Sequence, residues 1–292
     1  MEPRIYQEML RLQESHWWFI YQQVLLKNLI EKFIIVRSGR RILDAGCGTG
    51  AMLGLLQRGL LRNTIFCHSR ESGNPERFNF NRLIDTRFHG YDGFNLFRNS
   101  PQRYGWTVAL DYNETALNFC LENSENILCR ASISDLPFKN NSFDMINISD
   151  VLYHRNVEDD GQAIRQVYCK LKLGGLAVFH EPAFNFLKRK HDIVEHTIRR
   201  YDIKGFRTKI EAAGFKIKDI FYANNFLLPV VLILKLKEKF FEKKDRLDSD
   251  LIELPAILNR ALVHFSKVEN WLLMKGIRMP FGVSLVCAAV KC

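Results

Sequence analysis

The chain has 292 residues, a net charge of +10 from 42 basic and 32 acidic side chains, 47% hydrophobic residues and seven cysteines. That length supports one large α/β domain with appendages, and the composition is that of a globular chain, which excludes wholesale disorder. The cysteines form no CxxC pair, which argues against a disulfide framework or a structural zinc site and for a reducing cytoplasm; the basic charge is scattered rather than in one block.

In chain order, the amphipathic start MEPRIYQEML is not a basic segment followed by an apolar run, so no signal peptide is expected. Residues Tyr6 to Phe33 carry apolar positions at helical spacing around the cluster His16-Trp17-Trp18-Phe19, which predicts two helices joined there. Arg41 to Asp44 is a short apolar strand. It runs into the glycine turn Ala45-Gly46-Cys47-Gly48-Thr49-Gly50 and a helical stretch from Met52 to Leu61. A second strand, Thr107 to Leu110, ends on Asp111, and a helix over Glu114 to Glu122 follows. Further strands are expected at Asn126 to Cys129, Met145 to Ile148, Leu176 to Phe179, Lys216 to Tyr222 and Val283 to Val290, with helices near Gly161 to Leu171 and Lys204 to Ala213. This alternation predicts an α/β fold with a doubly wound, mostly parallel, seven-stranded Rossmann-like sheet whose last strand is antiparallel.

One stretch does not fit. Arg62 to Arg103 separates the first helix from the second strand and carries seven arginines and no lysine. Its flanks, HSRESGNP and DTRFHGYDG, within residues 67–93, resemble the translated ends of a bacterial interspersed palindromic repeat element. A return loop of this kind lies at the amino ends of the strands, opposite the ligand crevice. Lengthening it from about 5 to about 45 residues costs only about 2 kcal/mol of closure entropy, so a poorly ordered insert over about 62–104 is expected. A functional loop binding an acidic partner through Arg70, Arg77, Arg82 and Arg87 is the alternative.

The turn Gly46-x-Gly48-x-x-Ala51 also satisfies a dinucleotide fingerprint, so a dehydrogenase competes at this point. The pieces further along decide. ILDAGCGTG, VALDYN, LPFKNNSFDMINISDVLYH and CKLKLGGLAVF stand in the order that resembles class I S-adenosylmethionine-dependent methyltransferases. The resemblance implies S-adenosylmethionine as cofactor. Asp44, Ala45, Gly46, Cys47, Gly48 and Gly50 would hold its amino-acid tail, Asp111 and Tyr112 the ribose, Ser132 and Ile133 the adenine, and Asp150 would face the methyl group. At Ser132 that family often has an aspartate, a stronger acceptor for the adenine amino group.

A narrower resemblance is to bacterial methyltransferases, often found beside glycan or lipid biosynthesis genes, that begin with HWWF and carry PAF, HD and RRY segments. Here these are His16 to Phe19, Pro182 to Phe184, His191-Asp192 and Arg199-Arg200-Tyr201. It implies substrate contacts from Trp17, Trp18, Asp192, Arg199, Arg200 and Tyr201, with the arginines clamping a phosphate or carboxylate or else bracing a lid. Relatives of this type tend to have arginines where this chain has Gln22 and Gln23, and an apolar residue at Glu181.

Methyl transfer is a displacement at a sulfonium and needs no metal; a hydroxyl or amine acceptor is helped by a general base, for which His154, His191 and His196 are candidates. Residues 1–38 are expected to form a helical N-terminal cap, 39–292 the methyltransferase domain, and about 225–277 a helical insertion before the last strand. Within it, residues 226–244 join an apolar face to a basic run, which suits a substrate lid, the preferred reading, or peripheral contact of a cytoplasmic protein with the anionic inner face of the membrane. The acceptor is read as a small-molecule or lipid-linked compound, glycan or phosphorylated types included, with oxygen the preferred atom. No Asn-Pro-Pro-aromatic motif follows the fourth strand, where Ser149-Asp150-Val151-Leu152 stands, which argues against nucleic acid. An RNA methyltransferase and a catalytically inactive methyltransferase-fold binding protein are the alternatives.

Overall fold

The computed structural model describes residues 3–33, 40–53, 55–56, 83–85, 106–123, 127–240 and 253–292. Its strands are β1 (Arg41–Ala45), β2 (Leu83–Asp85), β3 (Trp106–Asp111), β4 (Ile127–Arg130), β5 (Phe143–Ser149), β6 (Leu171–Pro182), β7 (Phe215–Ala223) and β8 (Ser284–Lys291). They form one sheet in the order β2-β4-β3-β1-β5-β6-β8-β7. β8 runs antiparallel to both neighbours, β6 and β7, and every other pairing is parallel. All seven strands read from the sequence are present.

The eighth, β2, comes from within the atypical stretch. It adds a three-residue edge strand in register with β4, Leu83 opposite Leu128, where the sequence reading expected only poor order. The rest of that stretch lies outside the described residues.

The helices are α1 (Pro3–Leu12), α2 (Trp17–Phe33), α3 (Glu114–Asn123), α4 (Asp160–Lys170), α5 (Lys190–Val194), α6 (Ile203–Ala212), α7 (Leu228–Phe240) and α8 (Ala256–Met274). Two carry the side-chain caps that their sequences announce. Asp159 accepts from Gln162 N at 3.0 Å ahead of α4, and Asp202 accepts from Gly205 N at 2.9 Å ahead of α6.

The central strands are mostly apolar because both faces of the sheet are covered there. On one side Leu43, Ala45, Val108, Ile146, Ile148 and Phe179 meet Ile164 and Val167 of α4 and Phe206 and Ile210 of α6. On the other, Ile42, Met145, Val178 and Val286 meet Leu25, Leu26 and Leu29 of α2 and Leu273 of α8. The N-terminal helix α2 and the insertion helix α8 therefore share one core layer. They are joined at their edge by Asn259, which accepts from Trp17 N at 2.9 Å and donates to Ser15 O at 2.8 Å. No helix among the described residues is long and apolar enough to cross a membrane.

Candidate active site

The strand order reverses at β1, which has β3 on one side and β5 on the other. In doubly wound sheets the crevice for ligands lies outside the carboxyl ends of the strands at such a switch point. A cavity of about 740 Å³ opens there, lined by Asp44, Gly46 to Thr49 of the glycine turn, Asp111 to Thr115, Arg130 to Ile133 and Ser149 to Val151, and roofed by α1, α2 and the segment before and after α5.

The turn is drawn against β3 by Gly46 N and Cys47 N, which both donate to Leu110 O, at 2.7 and 2.9 Å. Gly46 and Gly48 have φ of 83° and 53°, a region that side chains disfavour. Their surroundings differ. A Cβ on Gly46 would overlap the Val151 side chain, whereas one on Gly48 would project into open space. Gly50, expected to hold the amino-acid tail, instead packs toward Cys120 and does not line the cavity, and neither does the fully buried Ala45. So Gly48 leaves the room a ligand would fill, and Gly46 lets the turn reach the loop after β5. Gly46→Ala is expected to destabilise the fold by about 2–4 kcal/mol, from a disfavoured φ plus overpacking, measurable as a lowered midpoint in urea; an unchanged midpoint would contradict this contact.

Asp44 is 2% exposed. Its Oδ1 accepts from Asn147 Nδ2 at 2.8 Å, while Oδ2 is buried without a hydrogen-bond partner. Burial pushes its pKa up to about 7, against the Asn147 bond and with help from Asp111. An orphaned buried carboxylate oxygen on a cavity wall is what a cationic ligand group such as an α-ammonium would complete. Asp111 accepts from Gly48 N at 3.0 Å and from Asn113 N at 2.8 Å, so its carboxylate is fixed by the turn and keeps lone pairs for a diol. Burial raises its pKa against these backbone bonds.

A titration follows from Asp44. With its folded pKa raised, the ligand-free protein holds a proton there that the unfolded chain has released, so this group's contribution to stability falls as pH rises from about 4 to about 7. A cationic ligand reverses the shift. Binding of S-adenosylhomocysteine near pH 7 is expected to release a proton, measured by calorimetry in two buffers of different ionisation enthalpy, and Asp44→Asn is expected to reduce that release; no buffer dependence in the parent protein would exclude the pairing.

On the β4 side, Ser132 Oγ accepts from Ser134 N at 3.2 Å, which shapes the loop and leaves its hydroxyl free to donate, and Ile133 is buried beside it. Tyr112 lines the mouth and is 62% exposed. Arg130 at this rim is paired with Glu114.

Asp150 has φ of 57° and is bound on two sides. Gln22 Nε2 donates to its Oδ2 at 2.7 Å, and His180 Nδ1 lies 3.5 Å from its Oδ1, with Trp18 edge-on to that imidazole at 5.8 Å. Gln22 thus stands as a neutral tether, and Gln23 donates to Ala51 O at 3.0 Å behind the glycine turn. Glu181, fully buried, accepts from the backbone N–H groups of Val151, Leu152 and Tyr153 at 3.3, 2.9 and 3.3 Å. It braces the loop that carries Asp150, which accounts for a carboxylate at an otherwise apolar position; burial, and then Asp150, hold its pKa well above the usual range.

The remaining sequence candidates divide. Trp17, Trp18, His154, His191, Asp192 and Arg200 line the cavity; His196, Arg199 and Tyr201 do not. His196 lies edge-on to His154 at 5.6 Å. His154 Nδ1 accepts from Asn156 N at 3.1 Å, and burial, with His196 and Arg155 nearby, pushes its pKa down to about 4. Arg200 grips Asp192 bidentately at 2.7 and 3.0 Å and also donates to Ala183 O, while Arg199 donates to Leu152 O and Glu158 O. Tyr201 hydroxyl donates to Asp160 Oδ2 at 2.9 Å. The arginines therefore brace the segment rather than clamp an anion. Arg189, which also lines the cavity, is paired with Glu238 of α7 at 2.5 Å.

The sequence reading missed Tyr6, Arg189 and Glu195 on the wall and His180 behind it, and marked Gln22 and Glu181 only as departures from relatives. Glu195 is the notable omission. No hydrogen bond or ion pair engages its carboxylate among the described residues, and burial, with Asp150 and Asp192 adding and His191 opposing, raises its pKa. Tyr6 and Tyr153 sit close enough for Glu195 to raise theirs in turn, after burial.

Comparison with known proteins fits this geometry. Residues 93–179 match the family model described as "Methyltransferase domain", leaving the glycine turn outside the matched range. No curated protein matches the chain. Among solved structures, a putative methyltransferase of Haloferax volcanii, in complex with the Trm112 methyltransferase activator, is 14% identical over 96% of this chain and 91% of that one, with a TM-score of 0.51. The [4+2]-cyclase SpnF is 15% identical over 91% and 79%, with a TM-score of 0.50. These likenesses speak for the Rossmann-like fold alone, and one of them performs a different reaction. The matched domain, seated on this sheet and opening into this cavity, is that of a methyltransferase. The chain carries that domain over residues 93–179.

Proposed function

We propose that the protein transfers a methyl group to a small-molecule or lipid-linked acceptor held between Asp150 and Glu195, with Glu195 receiving the proton of a hydroxyl or amine nucleophile. The cofactor supplies an electrophilic methyl group. In this reading Asp44, Gly48 and Cys47 hold its amino-acid tail, Asp111 with Tyr112 its ribose and Ser132 with Ile133 its adenine. Asp150, fixed by Gln22 and His180, fronts the methyl region. The α1 and α2 roof excludes water, and alignment then lowers the barrier.

The observation that carries the proposal is Glu195, an unpartnered carboxylate on the cavity wall beside Asp150. Every arginine lining the cavity has an acidic partner: Arg130 with Glu114, Arg189 with Glu238 and Arg200 with Asp192. That charge balance favours an acceptor that is neutral or cationic at its reacting end over a phosphorylated one. The same count argues against an RNA acceptor, whose phosphates need free cations.

The HWWF and RRY type is part of this proposal, supported by Trp17 and Trp18 lining one side of the cavity and Asp192 and Arg200 another. The repeat-element reading is supported by the family match beginning at residue 93, where that resemblance ends.

Methyl-labelled S-adenosylmethionine, incubated with the protein and fractionated cell extract, tests the reading. Label is expected in the small-molecule or lipid fraction and lost with Glu195→Gln. Label confined to RNA, or no transfer by protein that binds S-adenosylhomocysteine, would overturn it.

A further inference from the structure

The outer face of α8 does what no part of methyl transfer requires. Its inner face, with Ser266, Glu269, Asn270 and Leu273, is buried. On the opposite face Ile257, Phe265, Val268 and Trp271 are 84, 57, 44 and 59% exposed, a stripe along a helix of 19 residues, or about 28 Å. Soluble surfaces scatter such residues singly, and a contiguous stripe marks an interaction surface. Arg260, Lys267 and Lys275 flank or end the stripe, and none has an ion pair among the described residues. The only acid of α8, Glu269, is buried and accepts from Asn225 N.

We infer that this face of α8 docks on an anionic lipid surface, the apolar stripe entering the headgroup boundary and the three cations meeting the lipid phosphates. Charge complementarity selects this occupant. A second copy of the chain would bring two cationic rims of a +10 protein together, which opposes self-association. An anionic bilayer is drawn to the same rim, by about fivefold in affinity per basic residue near the surface.

The face also adjoins the site. Phe265 stacks on Phe226 at 6.3 Å, and Phe226 meets Trp17, a cavity-lining residue, edge-on at 6.1 Å. Leu227, just before α7, and Val231, in its first turn, line the cavity as well. α7 continues the pattern with Ile233, Leu236 and Phe240 exposed beside Lys237. A docked α8 would hold the acceptor side of the cavity close to the membrane plane, which suits an acceptor delivered by lipid. The docking does not depend on the reaction, and its test reads no activity.

The test is flotation of the full-length protein with vesicles of phosphatidylcholine alone and with 30% phosphatidylglycerol. Binding is expected to the anionic vesicles only, falling with salt. It should weaken at least tenfold in a Phe265→Ser/Trp271→Ser variant and about fivefold in Lys267→Gln. Unchanged affinity for S-adenosylhomocysteine shows that the variants fold. Absence of flotation, equal binding to neutral vesicles, or binding kept by the double variant would overturn the inference. So would light scattering showing a dimer that the double variant dissociates. Brominated lipid quenching lost in Trp271→Phe localises the contact; quenching that persists in that variant counts against this face.

Discussion

Asp111→Ala is expected to weaken S-adenosylhomocysteine binding by at least 100-fold while the fold survives. The carboxylate has two jobs that the substitution removes together. It fixes Gly48 N and Asn113 N, at 3.0 and 2.8 Å, and so sets the shape of the turn beneath the ligand. In the proposed cofactor pose it also offers charged acceptors to a ribose diol. A hydrogen bond to a charged group is worth about 1.5–3 kcal/mol, and two of them lost correspond to a factor between about 10² and 10⁴. Asp111→Asn keeps one carbonyl acceptor of similar shape, so an intermediate loss is expected. Calorimetry reads both, and a ligand-free midpoint within a few degrees of the parent separates lost recognition from lost structure. Binding retained within threefold by Asp111→Ala would remove this carboxylate from the cofactor site.

That carboxylate was readable from sequence because it follows a short apolar strand directly, and local order along the chain survives folding. The same holds for the turn, for Asp44 and for the strands, whose apolar runs reflect a sheet covered on both faces. Pairings distant in sequence were not readable. Gln22 meets Asp150 across 128 positions and Trp17 N meets Asn259 across 242, and neither partner carries a local sign of the other. The choice between clamp and brace for the arginines was unreadable for a related reason. A guanidinium followed by tyrosine looks like an anion clamp until the fold brings Asp192 within 2.7 Å of Arg200 and so neutralises it. Glu181 stood out only as a departure from relatives, yet its three backbone bonds make it a brace. β2 had no signal of its own, since three residues in a stretch of foreign composition are below any period that can be counted.

Glu195 was hidden in the same way, by standing one residue from a histidine that drew attention as the natural base. The geometry reverses that preference. His154 has its Nδ1 occupied by Asn156 N and a pKa pushed down to about 4, so it is a weak base at neutral pH, and His196 does not reach the cavity. Glu195, raised by burial and by its neighbours Asp150 and Asp192, is better matched to accept a proton there. Glu195→Gln is therefore expected to lower kcat by about 10²–10³, the usual yield of a positioned base, with S-adenosylhomocysteine affinity unchanged within twofold. His154→Ala should lose less than tenfold. The pH profile gives a second readout. Because the base must be ionised, kcat should fall as pH drops through a pKa above the ordinary glutamate range, and that acidic limb should vanish in the glutamine variant. The other groups facing this carboxylate, Asp150, Asp192, His191, Tyr6 and Tyr153, remain in place, so a limb that persists unchanged would assign the titration to one of them. Equal losses in kcat and in cofactor affinity would mean that Glu195 supports the cavity wall and takes no proton.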